Sequence, residues 1–124
     1  LVNKDIRKQF QVVLLPNLYG DIITDEAAQI QGGVGTAGSA NIGDQYAMFE
    51  AIHGSAPRMI EEGLGEYANP ASILKALAML LRHICRIHAA EKLENALQTC
   101  NVKVTGNRDG ATCKVFADAL MELI

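Results

Sequence analysis

Residues Gly33–Gly43, "GVGTAGSANIG", hold a literal G-x-G-x-x-G at Gly33, Gly35 and Gly38, the pattern of a dinucleotide-binding turn. A Rossmann phosphate turn needs a strand leading into the glycines, a helix leaving them, and an acidic residue roughly 20 positions on. The preceding "IITDEAAQIQ" instead has the composition of a helix, and the residue about twenty positions after Gly38 is Arg58. The glycines therefore read as a loop over residues 32–43, and the expected fold is not Rossmann.

Outward from that loop, the run "FQVVLLPN" (residues 10–17) is continuously apolar and ends at Pro16-Asn17, as a buried strand of a parallel or mixed sheet would. "DIITDEAAQIQ" predicts a helix with acids in its first turn, stopped by the glycines from Gly32. "YAMFEAI" predicts a second strand running into "HGSAP", followed by a Glu- and Gly-rich loop, "RMIEEGLGEYA". Asn69-Pro70 opens the longest helical signal, residues 71–99, apolar all round at first and amphipathic later. "NVKVTGNRDGA" is turn-rich, and "TCKVFADALMELI" predicts a final helix with Val115, Phe116, Leu120, Leu123 and Ile124 on one apolar stripe.

The 124 residues, 49% of them hydrophobic, are enough for the core of one small domain. Two strand signals do not make a self-sufficient sheet, however. With an opening, "LVNKDIRKQFQ", that lacks an initiator Met, the expectation is part of a larger domain, incomplete on its own. A formal charge of −3 with scattered Lys and Arg argues against a nucleic-acid surface and for small-molecule chemistry. No run approaches the ~18 apolar residues of a membrane span, so the expected setting is cytoplasmic, or the mitochondrial matrix in a eukaryote. Cys85, Cys100 and Cys113 form no C-x-x-C pair and read as reduced thiols, Cys85 buried within its apolar helix. His83 and His88, five apart, do not share the helix face that a metal pair needs.

Asp21 and Asp25 are spaced i, i+4, which places both carboxylates on one helix face. That suits a hard divalent cation and equally suits acids complementing a helix dipole. In "HGSAP", His53 follows a strand end, Gly54 permits close backbone approach and Ser55 offers a hydroxyl, as in a ligand grip or a plain turn. Asn69 before Pro70 could be a helix N-cap.

Taken in order, "PNLYGDIITDEAA", "GGVGTAGSANIG", "FEAIHGSAP" and "ANPASIL...AMLLRH" resemble the C-terminal third of the β-decarboxylating dehydrogenases, the isocitrate, isopropylmalate, homoisocitrate and tartrate dehydrogenases. The resemblance runs from about Val12 to the end. It implies an α/β isopropylmalate/isocitrate dehydrogenase-like fold in which these residues contribute strands and helices to the large domain. The nicotinamide cofactor, NAD or NADP, would lie in a loop-built pocket. By motif, Val34 would lie on the nicotinamide side, Glu50, His53, Gly54, Ser55 and Ala56 would line the pocket, and His53 and Asn69 would meet the adenine. Asp21 and Asp25 match the family's Mg²⁺ or Mn²⁺ ligands.

The activity implied is oxidation of a 2-hydroxy acid followed by loss of its β-carboxylate as CO₂. The family's catalytic Tyr and Lys, its substrate-binding arginines and serine, and a third metal Asp from a neighbouring subunit match nothing here, so no catalytic acid or base is assigned. A homodimer or higher oligomer with a shared site is expected. "SANIG" and "MLLRH" favour isocitrate as substrate, whereas the Ser of "HGSAP" and "DEAA" lean toward isopropylmalate. Homoisocitrate, or a non-catalytic regulatory subunit of a hetero-oligomeric isocitrate dehydrogenase, is the alternative. Cofactor choice falls at Arg58-Met59: a cation there could meet a 2′-phosphate, unless the loop, about three residues longer than the family's usual form, carries Arg58 away.

Overall fold

The computed structural model describes residues 3–31 and 37–124. The chain runs α1 (Lys4–Arg7), α2 (Asn17–Gln31), β1 (Gly38–Ile42), β2 (Ala47–Ala51), α3 (Pro57–Glu61), a 3-10 turn (Gly65–Tyr67), α4 (Ala71–His83), α5 (Ile87–Thr99) and α6 (Cys113–Met121). The architecture is α/β: an antiparallel hairpin of β1 and β2 lies on α4, and α4 packs on its other side against α5.

The expected strand at residues 10–17 does not form. Val12 and Leu14 are 84% and 94% exposed, and among the described residues no strand lies alongside them. An apolar run without a ladder partner is extended coil, because a strand's backbone groups need a neighbour. The following helix also starts earlier than expected, with the Gly20 N–H donating to the Pro16 carbonyl at 2.8 Å. Asp21 and Asp25 therefore sit inside α2 rather than in its first turn, and dipole complementation does not account for them. Part of the expected loop 32–43 is strand: residues 38–42 pair with β2 in the register Gly38↔Ala51 to Ile42↔Ala47.

Close approach fixes how the hairpin sits. A Cβ on Gly38 would fall 2.5 Å from the Ala76 backbone nitrogen and 2.8 Å from its Cα, distances that a helix backbone cannot relieve. Only glycine lets β1 touch α4 here.

The helical signal over residues 71–99 splits in two. At the end of α4 the Arg86 N–H reaches back to the Leu81 carbonyl and the Cys85 N–H to the Arg82 carbonyl, with Cys85 left-handed at φ 59°. This is a Schellman cap with cysteine where glycine is usual, at about 1–2 kcal/mol of backbone strain. Chain reversal lets α4 and α5 bury their small faces together: Ala78, Ala90 and Ala96 are buried, with Leu93 between them. Cys85 is exposed at this corner rather than buried, and His83 and His88 lie on different helices.

Helix α6 closes the core from one side. Thr112 caps it by accepting from the Val115 N–H at 3.3 Å, and Phe116 and Leu120 enter the cluster with Ala78, Leu93 and Ala96. The other members of the expected stripe, Val115, Leu123 and Ile124, are about half exposed. The loop expected after "HGSAP" is partly helical, since Pro57 stands at the start of α3, where its missing N–H costs nothing.

Across the α4–α5 pair Arg82 forks onto Glu94, Nε to Oε1 at 2.9 Å and Nη2 to Oε2 at 2.5 Å. The Arg82 hydrogen bond holds the Glu94 carboxyl below its ordinary range, with partial desolvation opposing and the guanidinium charge adding. A depressed folded value means the stabilisation is present above the ordinary carboxylate range and is lost as pH falls through the lowered one. Both side chains are well solvated, so the contribution is small. The Tm difference between the parent and Glu94→Gln should accordingly be largest at neutral pH and begin to shrink as pH falls below about 4. A difference that persists undiminished in acid would assign the effect to packing rather than charge.

Among the described residues, no helix is long and apolar enough to cross a membrane.

Candidate active site

Helix α2 and the β hairpin face each other across an open cleft of about 510 Å³. From α2 come Asp21, Thr24 and Asp25; from β1, Gly38 and Ser39; from the end of β2, Glu50, Ala51, Ile52 and His53. Asp21 and Asp25 stand one turn apart and exposed, and neither joins an ion pair among the described residues. Thr24 Oγ1 donates to the Gly20 and Asp21 carbonyls, leaving only its lone pairs for a ligand. Glu50 Oε1 accepts from Asn41 Nδ2 at 3.1 Å, which orients its carboxylate from the neighbouring strand.

A second cavity of about 490 Å³ opens on the other side of His53. Its wall is the turn His53, Gly54, Ser55 and Ala56, together with Met59 and Ile60 of α3, Gly65, Ala68 and Asn69. Ala56 is left-handed at φ 45° just before Pro57, strain of the kind held in place at ligand-binding turns. His53 Nδ1 lies 3.0 Å from the Gly54 carbonyl; a carbonyl only accepts, so this contact puts the proton on Nδ1 and leaves Nε2 as the ring's acceptor. Asn69 Oδ1 accepts from the Ala71 N–H at 2.9 Å, which leaves its amide NH₂ to donate.

Motifs far apart in sequence thus meet at two adjoining cavities with His53 on both walls. Glu50, His53, Gly54, Ser55, Ala56 and Asn69 all line one or the other, with Asp21 and Asp25 opposite Glu50. Val34 belongs to residues 32–36, outside the described residues. Arg58 does not line either cavity: its side chain is 85% exposed, and Nε lies 2.7 Å from Glu62 Oε1 one helical turn away. Because α3 is a helix rather than a loop, it turns Met59 inward and Arg58 outward, with Ile60 at the cavity's exposed rim.

Met59 and Ile60 were not among the residues expected at the site. Two adjacent apolar side chains in the otherwise polar "RMIEEGLGEYA", just after a proline suited to a first helical turn, are the signal that could have found them.

The donor set is chemically suited to a hard divalent cation. Asp21, Asp25 and Glu50 offer carboxylate oxygens to one cleft, with room for water and substrate oxygens. Among the described residues, no three His, Cys, Asp or Glu side chains gather closely enough to hold a metal unaided. The second cavity, mostly apolar with a few convergent polar groups, has the character of a small-molecule site.

The sequence model of a family described as isocitrate/isopropylmalate dehydrogenase matches residues 1–119. An isocitrate dehydrogenase [NADP] of Rickettsia typhi is 54% identical over 87 residues, 70% of this chain and 17% of the relative. A homoisocitrate dehydrogenase of Methanocaldococcus jannaschii is 40% identical over 105 residues, 83% of this chain and 29% of the relative. A 3-isopropylmalate dehydrogenase of Methanothermobacter thermautotrophicus is 43% identical over 91 residues, 73% of this chain and 27% of the relative. The chain therefore spans less than a third of the length of these relatives. The crystal structure of the TT0538 protein from Thermus thermophilus superposes with a TM-score of 0.82 at 35% identity, over 93% of this chain and 24% of that one. With the family match running nearly the whole length and the fold in agreement, the chain belongs to the isocitrate/isopropylmalate dehydrogenase family.

Proposed function

We propose that this chain supplies the cofactor- and metal-binding part of a dehydrogenase that oxidatively decarboxylates a 2-hydroxy acid, isocitrate in the first instance. It works as part of a larger domain, in an oligomer whose second copy completes the site. The observation that carries the reading is the pair of adjoining cavities sharing His53, one lined by carboxylates and the other by an apolar turn. Large apolar side chains exposed on α2, such as Leu18, Tyr19 and Ile22, fit a segment with further protein against it.

Asp21 and Asp25 would hold Mg²⁺ or Mn²⁺, with Glu50 facing them. When bound, the cation would favour ionisation of the substrate hydroxyl and stabilise the charge left by loss of CO₂. NAD or NADP, seated along His53–Ala56 and Asn69, would accept the substrate's hydride. His53 Nε2 and the Asn69 amide would meet polar edges of the cofactor, while Met59 and Ile60 would keep water from its flat faces. Acid and base for proton transfer come from outside these residues. Isocitrate is favoured by the 54% identity to a protein named isocitrate dehydrogenase [NADP].

Spectrophotometric assay of the full-length protein tests this, with isocitrate and 3-isopropylmalate, each cofactor, and Mn²⁺ titrated from a chelated baseline. Failure to reduce either cofactor with either acid at saturating Mn²⁺ would sink the reading. The outward, Glu62-paired position of Arg58 carries its own expectation. Arg58→Asp should move the NADP-to-NAD ratio of kcat/KM by less than about twofold, whereas a lost phosphate contact would cost the ~1.5–3 kcal/mol of a charge-assisted hydrogen bond.

A further inference from the structure

The side chain of Ser72 is wholly buried at the start of α4 and uses both its hydrogen and its lone pair on other segments. Its Oγ accepts from the Ile52 N–H at 3.0 Å and donates to the Ala37 carbonyl, while the residue itself is 0% exposed. Ala37 is the last residue before β1, and Ile52 is the first after β2. One hydroxyl therefore ties the entry of one strand and the exit of its partner to the helix beneath them.

The next residues along each strand are site residues. Gly38 lines the carboxylate cleft beside Ile52 itself, and His53 lines both cavities. Asn69, three residues before Ser72, accepts from the Ala71 N–H at the same helix start while lining the second cavity. A hairpin of two five-residue strands is a weak support on its own. The ladder ends at Gly38↔Ala51, so the turn carrying His53 has no further strand pairing to hold it. Ser72 provides that hold from below.

We propose that Ser72 is a positioning residue: its buried hydroxyl, bonded to Ala37 and Ile52, fixes the His53 turn against α4 and so sets the width of the cofactor cavity. This rests on the cofactor reading given above. Without the hydroxyl, the half-buried Ile52 N–H and Ala37 carbonyl would lose the group that joins them and the tie to α4 with it.

The test uses the full-length protein and reads the backbone and the ligand separately. Ser72→Ala should accelerate amide hydrogen exchange at Ile52 while leaving exchange in the interior of α4 unchanged. It should also weaken NADPH binding, followed by its fluorescence without substrate, by about tenfold, the lower end of what loss of a supporting group costs a site. Ser72→Cys, of similar volume and still a weak donor and acceptor, should recover part of both. Unchanged exchange at Ile52 in Ser72→Ala, or unchanged NADPH affinity despite faster exchange, would overturn the positioning role. A global rise in exchange with equal losses in Ala and Cys variants would also overturn it, since that marks a merely structural serine. Absence of binding of NADPH and NADH by the parent, in contrast, would overturn the cofactor reading itself and the cavity role built on it, and is seen before any variant is made.

Discussion

Asp21→Asn and Asp25→Asn in the full-length protein are each expected to cut metal-dependent turnover by at least about 100-fold, the upper end of the cost of losing a group that merely supports a metal ligand. The expectation follows from where α2 places the two carboxylates. They stand one turn apart over a cleft whose opposite wall carries Glu50, and no guanidinium or ammonium among the described residues neutralises them. Like charges one helical turn apart repel modestly, and a cation between them would relieve this. The amide keeps an oxygen but loses the charge, and the apparent Mn²⁺ requirement should rise with the loss of rate. Both variants should unfold at the parent's temperature or slightly above it in the absence of metal, because a repulsion has been relieved. Parent-like rates at limiting Mn²⁺ in either variant would remove these residues from the metal site.

Phe116→Ala is expected to cost about 3–5 kcal/mol, the range for removing a buried aromatic ring. Phe116 is only 7% exposed and packs among Ala78, Leu93, Ala96 and Leu120. The leucines around the void, Leu93 and Leu120, sit on helices whose backbones are already in contact with their neighbours. Alanines lie at the closest helix contacts, and helices held by one another's backbones do not move inward by the width of a ring. The consequence reaches the site, because α6 also packs against the 3-10 turn, whose Gly65 lines the second cavity. Urea unfolding at constant m would give the change directly; a loss below about 1 kcal/mol would show that α6 docks on the core without being part of its cooperative unit.

The family could be read from the chain because its motifs are short, contiguous and chemically demanding. "ITDEA", "HGSAP" and "ANP" each need particular side chains at fixed spacing, and the order of the motifs excludes a Rossmann turn despite Gly33, Gly35 and Gly38. Residue types likewise determined the second strand and the helix through Asp21 and Asp25, since i, i+4 geometry is local; Asn69, by contrast, stands one residue before the N-cap of α4, which is Pro70.

What needed the tertiary structure was everything decided between segments. The run at residues 10–17 has the composition of a strand, but pairing makes a strand, and no described neighbour supplies it. Cys85 ends α4 in a left-handed conformation that local propensity disfavours; the reversal is favoured because it lets Ala78, Ala90, Leu93 and Ala96 leave water together. Arg58 and Met59 are adjacent in sequence, and only the arginine was expected at the cofactor. The helix that begins at Pro57 sends one outward to Glu62 and the other into the cavity. Nothing local marks Ser72, and its importance lies in the Ala37 carbonyl and the Ile52 N–H, brought to it from 35 and 20 residues away. Residue type and spacing fix which groups a chain offers; which of them meet is set by burial of apolar surface over long separations, and no local pattern records it.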